Sequence, residues 1–137
     1  MKKSKKSIIV MIALSSFILS CENNIVYFNL DTQILKRCNN KGLKHIEIIN
    51  DSLKVYYSVD WVKNQPIPTE INLNKINDGY KITLNGVKII QNQNFTLESN
   101  KHYKIVHRSN GDANSSEINV YLIDKMKIVS ADKTNCE

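Results

Sequence analysis

Apolar and polar residues alternate with a period of two through most of the chain after residue 24. The alternation is most regular in LKVYYSVDW, where Leu53, Val55, Tyr57, Val59 and Trp61 share one face. Because successive side chains of a strand point to opposite faces, this pattern predicts half-buried β-strands rather than helices. Further segments with the same pattern are NIVYFNL, GYKITLNGVKII, FTLES, HYKIVHRS, SEINVYLID and MKIVS.

Turn-forming residues separate the predicted strands at short intervals. In GYKITLNGVKII, Asn85 and Gly86 can adopt the positive φ angles of a type I′ turn, which predicts a β-hairpin. Both prolines lie in NQPIPTE, a predicted loop or edge feature, because proline cannot donate to a sheet ladder. Outside the first 20 residues, helical turns are predicted only in TQILKRC, residues 32–38, with Asp31 as the N-cap. The spacing predicts an all-β fold, a single small antiparallel β-sandwich or open barrel.

The first 20 residues differ from the rest of the chain. MKKSKK is basic, and the segment from Ile8 to Leu19 is almost entirely apolar. A basic patch followed by a short apolar run is typical of a secretory signal, which would form a helical segment ahead of the β fold. The run is shorter than the roughly 18 to 20 residues that span a membrane. We therefore expect it to be removed by cleavage rather than kept as an anchor.

The apolar run ends in Ile18-Leu19-Ser20-Cys21. This sequence resembles the lipobox of bacterial lipoproteins, with an aliphatic residue at minus three, a small residue at minus one and then the cysteine. The resemblance covers residues 2–21 and implies three modifications: a diacylglycerol on the thiol of Cys21, cleavage before Cys21, and acylation of the new amino terminus, for example by palmitate. Two or more acyl chains make membrane anchoring stable.

The resemblance implies a simple domain organisation. Residues 1–20 would be the lipoprotein signal peptide, residues 21–24 a short lipidated tether, and residues 25–137 a single β domain. The alternative is an ordinary secreted protein in which Cys21 is a free or paired thiol.

The chain has three cysteines, and an odd number leaves one unexplained in an exported protein. Lipidation of Cys21 removes that problem. Cys38 and Cys136 could then pair in an oxidising envelope compartment, and the alternative is two reduced thiols.

Removal of the signal segment changes the charge. Taking Lys2, Lys3, Lys5 and Lys6 from the 19 basic residues leaves 15, against 13 acidic residues, so the remaining chain carries a net charge near +2. Its lysines are scattered among acidic residues, as on a solvated surface. A nucleic-acid partner is therefore not expected, because such proteins need a clustered basic face.

The histidines do not show the spacing of a metal site. His102 and His107 lie five residues apart in one predicted strand, which places them on opposite faces. His45 is isolated in the sequence, and no Cys or His pair has a zinc-site spacing. No metal and no cofactor is expected.

Catalytic groups are equally weakly indicated. His107, Ser109 and Asp112 lie close together in HRSNGD, but triads are assembled in space, and a polar turn explains the same residues. Carboxylates that could form an acid–base pair are Asp60, Glu70 and Glu98. The chain is therefore predicted not to be an enzyme.

The aromatic residues divide between the two faces of a strand. Tyr57 and Trp61 lie on the apolar face of LKVYYSVDW, where core packing is expected. Tyr56 faces the other way and is predicted to point outward.

The function that these features favour is a membrane-anchored envelope lipoprotein that acts as a non-catalytic binding module, of the inhibitor or immunity type. Its expected partners are the membrane, through the lipid on Cys21, and a second protein. The periplasmic face of the outer membrane is the favoured location, with the inner membrane and the cell surface as alternatives. Alternative functions are an envelope structural or assembly accessory that binds glycan or a larger complex, and a small hydrolase.

Overall fold

A computed structural model of the chain describes residues 24–109 and 115–137. The predicted all-β class is confirmed, since strands dominate this part of the chain and the one short helix is a 3₁₀ turn at Asn92–Asn94. The strands are β1 Val26–Asn29, β2 Ile34–Arg37, β3 His45–Asn50, β4 Val55–Trp61, β5 Glu70–Asn72, β6 Tyr80–Leu84, β7 Lys88–Ile90, β8 Lys101–Arg108, β9 Ser115–Asp124 and β10 Lys127–Ala131. Within these ranges, no helix has the length and apolar character needed to cross a bilayer.

The strands form two antiparallel sheets. The small sheet has the order β1-β2-β5, and the large sheet has the order β10-β9-β8-β3-β4-β6-β7. All pairings are antiparallel. The arrangement is a small β-sandwich, with β3 and β8 at the centre of the large sheet.

One hydrophobic core lies between the two sheets. Phe28 and Leu35 of the small sheet are fully buried, as are Ile46, Ile48 and Ile105 of the large sheet, and all five belong to one cluster. Burying each such side chain contributes about 1.5 to 3 kcal/mol. The other face of the large sheet carries mostly polar side chains, as the alternation along each strand requires.

The strand register defines two ends of the sandwich. β8 ends where β9 begins, since Arg108 pairs with Ser115. Beside them, the side-chain amide of Asn24 donates a hydrogen bond to the hydroxyl of Ser109 (2.9 Å). The segments 38–44 and 62–69 lie at the same end, which we call the Asn24 end. The opposite end, called the Val87 end, carries the turns at 51–54, 85–87 and 125–126.

The hairpin predicted at Asn85-Gly86 is confirmed, with φ angles of 51° and 73° at the two residues. The turn closes with a hydrogen bond from the Val87 amide to the Leu84 carbonyl (3.2 Å). Leu84 pairs with Lys88, so Val87 is one additional loop residue beyond a two-residue turn. Its side chain is 89% exposed.

The helical turns predicted in TQILKRC are wrong. Ile34–Arg37 form strand β2, which pairs with β1 on one side and with β5 on the other. Leu35 is fully buried in the core, whereas the flanking Lys36 is partly exposed. Pairing on both sides and burial of alternate residues outweigh the weak helix propensity of so short a segment.

One predicted strand is absent, and one strand of the large sheet lies outside the predictions. FTLES is not a strand, although Phe95 and Leu97 are both buried. HIEIIN, residues 45–50, lies outside the predicted strands but forms the central strand β3. The sequence does show a period-two pattern here, because Ile46 and Ile48 alternate with the polar residues His45 and Glu47. Both isoleucines are fully buried.

The side chain of Gln33 blocks one edge of the large sheet. Its amide nitrogen donates to the carbonyl of Ile128 (2.9 Å), and its amide oxygen accepts from the amide of Ile128 (2.8 Å). Ile128 lies on the edge strand β10, so Gln33 satisfies the backbone groups of one residue on that edge. Covering an edge in this way guards against association with other chains.

Candidate functional site

A group of polar side chains lies on the outward face of the large sheet, across strands β3, β4 and β8. We call it the outer-face cluster, and its members are His45, Glu47, Tyr56, Ser58, Asp60 and Arg108. The strand register brings these residues together, because His45 pairs with Asp60 and Glu47 pairs with Ser58. Arg108 comes from β8, which pairs with the other edge of β3. His107 pairs with Ile46, so the next residue of β8, Arg108, points to the outward face.

His45 lies between two carboxylates. Its Nδ1 is 2.6 Å from Oδ1 of Asp60, and its Nε2 is 3.3 Å from Oε1 of Glu47. The hydroxyl of Ser58 donates to Oδ2 of Asp60 at 2.5 Å. Hydrogen bonds to an ionised group are stronger than neutral ones, so these contacts hold the four side chains in one arrangement.

Glu47 is the most buried member of the outer-face cluster, with 8% of its surface exposed. Its second carboxylate oxygen lies 3.7 Å from a guanidinium nitrogen of Arg108. Tyr56 also bonds to Glu47, and burial followed by this hydrogen bond raises the pKa of Tyr56 to about 12. The tyrosine therefore stays protonated and can donate to the carboxylate.

The geometry of the outer-face cluster does not match a nucleophilic triad. Such a triad needs a hydroxyl bonded to the imidazole, and the imidazole bonded to an acid. Here the Ser58 hydroxyl is bonded to Asp60, and both nitrogens of His45 face carboxylates. The cluster instead presents the Asp60 carboxylate and the Arg108 guanidinium to solvent, with 41% of the Asp60 side chain and 58% of the Arg108 side chain exposed. This arrangement can bind charged groups on another molecule.

His45, isolated in the sequence, is brought beside other polar residues by the strand pairing. It has two acidic partners, one of them supplied by the neighbouring strand. Of the three carboxylates singled out by sequence, only Asp60 belongs to the outer-face cluster. Glu70 pairs with Lys36 on the small sheet (3.0 Å), and the amide of Glu98 donates to the Tyr103 hydroxyl (3.0 Å). They form no acid–base pair.

The opposite faces predicted for His102 and His107 are confirmed. His102 is exposed and stacks on Tyr121 at a centroid distance of 4.5 Å. His107 is 1% exposed, and its Nδ1 has no hydrogen-bond partner among the described residues. Burial, with the nearby charge of Arg37, lowers the pKa of His107 to about 4. In the described ranges, no group of three His, Cys, Asp or Glu side chains could hold a metal ion.

The aromatic residues of β4 divide between the core and the outer face of the large sheet. Tyr57 packs edge-on against Phe95, and Trp61 packs edge-on against Tyr80, as expected for core residues. Tyr56 points outward, which confirms its predicted orientation. Ser109 accepts a hydrogen bond from Asn24, while Asp112 lies outside the described residues.

The start of the described chain is part of the fold. Asn24 is 5% exposed, and its amide oxygen accepts a hydrogen bond from Nη2 of Arg37. The sequence assigned Asn24 to the tether, but its side chain is held inside the domain. Cys21 and the rest of residues 1–23 lie outside the described residues.

Cys38 and Cys136 lie at the Asn24 end with their sulfur atoms within bonding distance and their Cα atoms 5.5 Å apart. The amide of Cys38 donates to the carbonyl of Ile25 (2.9 Å). A bond between the two cysteines therefore ties Cys136 to the residue that follows β2, beside the start of β1.

Comparisons of the chain with protein-family models, with curated proteins and with solved structures found no match. The fold and the outer-face cluster therefore carry the functional argument.

Proposed function

We propose that the protein is a lipid-anchored binding module of the bacterial cell envelope, which recognises a partner protein through the outer-face cluster. The observation that carries the proposal is the cluster itself. Polar and charged side chains from three strands contact one another, and two of them, Asp60 and Arg108, are partly open to solvent. The arrangement has no bonded nucleophile and base. An inhibitor or immunity-type protein would use such a surface.

The proposed cellular location rests on the lipobox resemblance near the amino terminus. The lipobox resemblance at residues 18–21 supports lipidation of Cys21, and we place the protein at the periplasmic face of the outer membrane. The Cys38–Cys136 pair supports an oxidising compartment, because disulfides persist there and are rare in the cytosol.

The position of the outer-face cluster supports a partner at the same membrane. Arg108 directly precedes Ser109, which bonds to Asn24, and Asn24 is three residues from Cys21. The cluster therefore lies toward the end of the sandwich from which the lipid would emerge. Tethering raises the effective concentration of the cluster for a partner in that membrane, without requiring a large interface.

The electrostatics of the outer-face cluster indicate the chemistry of the contact. Asp60 is ordered by Ser58 and His45 but keeps part of its surface exposed, so it can accept a cationic side chain of the partner. Arg108 can bind a carboxylate of the partner in the same interface. Complementary charges of this kind set specificity and association rate more than total affinity.

The test is affinity purification of the full-length, tagged protein from detergent-solubilised membranes, with two charge-reversal variants, Asp60→Lys and Arg108→Glu. The matched controls are Asp124→Lys and Lys125→Glu, two exposed residues at the Val87 end. We expect one stoichiometric partner that is lost with the cluster variants and kept with the controls. Equal capture by all five proteins would overturn the proposal, as would absence of any partner from the wild-type sample.

A further inference from the structure

The tether between the proposed lipid and the folded domain is very short. Asn24 is already buried and bonded to Ser109 and Arg37, so the chain is fixed to the domain at that point. Only three residue steps separate Asn24 from Cys21. A fully extended chain advances at most about 3.6 Å per residue, so Cys21 cannot lie more than about 11 Å from Asn24.

So short a tether leaves little freedom of orientation. A lipidated Cys21 sits at the headgroup level of the bilayer, and the Asn24 end must then lie close to the same surface. The Val87 end is at the other end of the strands, and strands advance about 3.3 Å per residue. Since β9 has ten residues, the Val87 end would lie well away from the headgroups.

The Asn24 end carries exposed apolar side chains. Four large hydrophobic residues are exposed in the described parts of the chain, and two of them, Ile25 (36%) and Val62 (61%), lie at this end. Val62 directly follows the last residue of β4, and Ile25 directly precedes β1. Apolar side chains at headgroup level can insert between lipids and gain burial that they lack in water.

The same end presents basic residues on an ordered segment. Lys41 and Lys44 are exposed in segment 38–44, between β2 and β3. The segment is held by two contacts of Leu43: its amide donates to the carbonyl of Pro68 (2.8 Å), and its carbonyl accepts from the hydroxyl of Tyr80 (2.7 Å). Lysines held near a bilayer attract anionic lipid headgroups.

We infer that the Asn24 end is a membrane-contact surface, in which Ile25 and Val62 enter the headgroup layer and Lys41 and Lys44 face anionic phospholipids. The surface rests on the proposed function, because it requires the lipid on Cys21. It adds an orientation, in which the strands run away from the membrane plane. The outer-face cluster then faces sideways near the bilayer, and the Val87 end points away from it.

The test uses the protein purified from membranes and reconstituted with vesicles of phosphatidylcholine and phosphatidylglycerol that carry bromine-labelled lipids, which quench nearby tryptophan. The reporter is Val62→Trp, and the matched control is Val87→Trp, a valine of high exposure at the opposite end. Emission of the wild-type protein, which comes from its only tryptophan, Trp61, is measured separately and subtracted as the baseline. We expect the added emission of Val62→Trp to be quenched and that of Val87→Trp to be unaffected. Ile25→Trp serves as a second reporter in case Val62→Trp does not fold.

The lysine contribution has its own control. Lys44→Glu in the Val62→Trp background should reduce quenching in vesicles that contain phosphatidylglycerol, whereas Lys125→Glu at the Val87 end should not. Equal quenching with both charge variants would overturn the assigned role of the lysines.

Vesicle flotation separates failure of this inference from failure of the proposed function. A protein that floats with the vesicles but shows equal quenching at both ends, or more at Val87→Trp, is anchored in another orientation and overturns the membrane-contact surface alone. A protein that does not float lacks the lipid anchor, and that outcome overturns both proposals.

Discussion

The side-chain amide oxygen of Asn24 accepts a hydrogen bond from the guanidinium of Arg37, and both residues are buried. Arg37 ends strand β2, and its Nη1 also donates to the carbonyl of Gly42 (3.4 Å). This contact therefore joins the first described residue of the chain to the segment that leads into β3. It makes Asn24 a structural part of the domain.

Asn24→Ala should destabilise the fold. The substitution removes the acceptor for Arg37 and the donor to Ser109, and loss of a buried hydrogen-bond partner costs about 1 to 3 kcal/mol. Urea denaturation should show a lower midpoint with an unchanged slope. Asn74→Ala, an exposed asparagine in the segment after β5, is the matched control and should unfold like the wild type. Equal midpoints for both variants would show that the Asn24 contacts do not stabilise the domain.

Loss of the Cys38–Cys136 bond should destabilise the fold more than Asn24→Ala does. The two cysteines are 98 residues apart in sequence, and closing a loop of this length restricts the unfolded chain, with a typical stabilisation of about 2 to 5 kcal/mol. The double variant Cys38→Ala/Cys136→Ala should unfold at lower urea concentration than the wild type. Reductant should shift the wild-type midpoint toward that of the double variant and leave the variant unchanged. A wild-type midpoint insensitive to reductant would contradict the bond.

Stability should fall as the pH is lowered from about 6.5 to about 4, because of His107. Its pKa is about 4 in the folded protein and 6.5 in the unfolded chain, so within this window the unfolded state binds more protons. Below the folded pKa both states are protonated, and the effect levels off. His107→Gln should lose this part of the pH dependence, whatever its stability at neutral pH. His102→Gln, which changes an exposed histidine, should keep it. A His107→Gln profile parallel to the wild type would contradict the assignment.

Gly79→Ala should disturb the packing of Trp61. A Cβ atom at position 79 would overlap the indole ring, and overpacking of a core costs about 1 to 3 kcal/mol. The fluorescence of Trp61, the only tryptophan, should change with the lost stability. Gly86→Ala is the contrasting variant, since its Cβ would meet open space but its backbone has a φ of +73°. That variant should lose stability with an unchanged Trp61 spectrum. Unchanged fluorescence in Gly79→Ala would contradict the predicted overlap.

The sequence predicts the sandwich better than it predicts the site. Period-two alternation identifies most strands of the large sheet, because one face of each strand is buried and the other is solvated. It fails for Ile34–Arg37, where pairing with strands on both sides decides the structure of a short, mixed segment.

The outer-face cluster depends on register, which alternation alone does not give. His45 and Asp60 are 15 residues apart, and their contact follows from the pairing of β3 with β4. A sequence signal was available, since HIEIIN and LKVYYSVDW are neighbouring alternating segments joined by a short turn. Treating HIEIIN as a strand would have placed His45 and Glu47 on the same outward face as Tyr56, Ser58 and Asp60.

We propose that the mature protein is a lipid-anchored module that begins at Cys21. The most direct test is the mass of the amino-terminal peptide of the protein purified from the membranes of its native host. We predict a peptide that starts at Cys21 and carries a diacylglycerol on the thiol and an acyl chain on the amino group. A peptide that starts elsewhere, or an unmodified Cys21, would exclude lipid anchoring at Cys21 and leave an ordinary secreted β-sandwich.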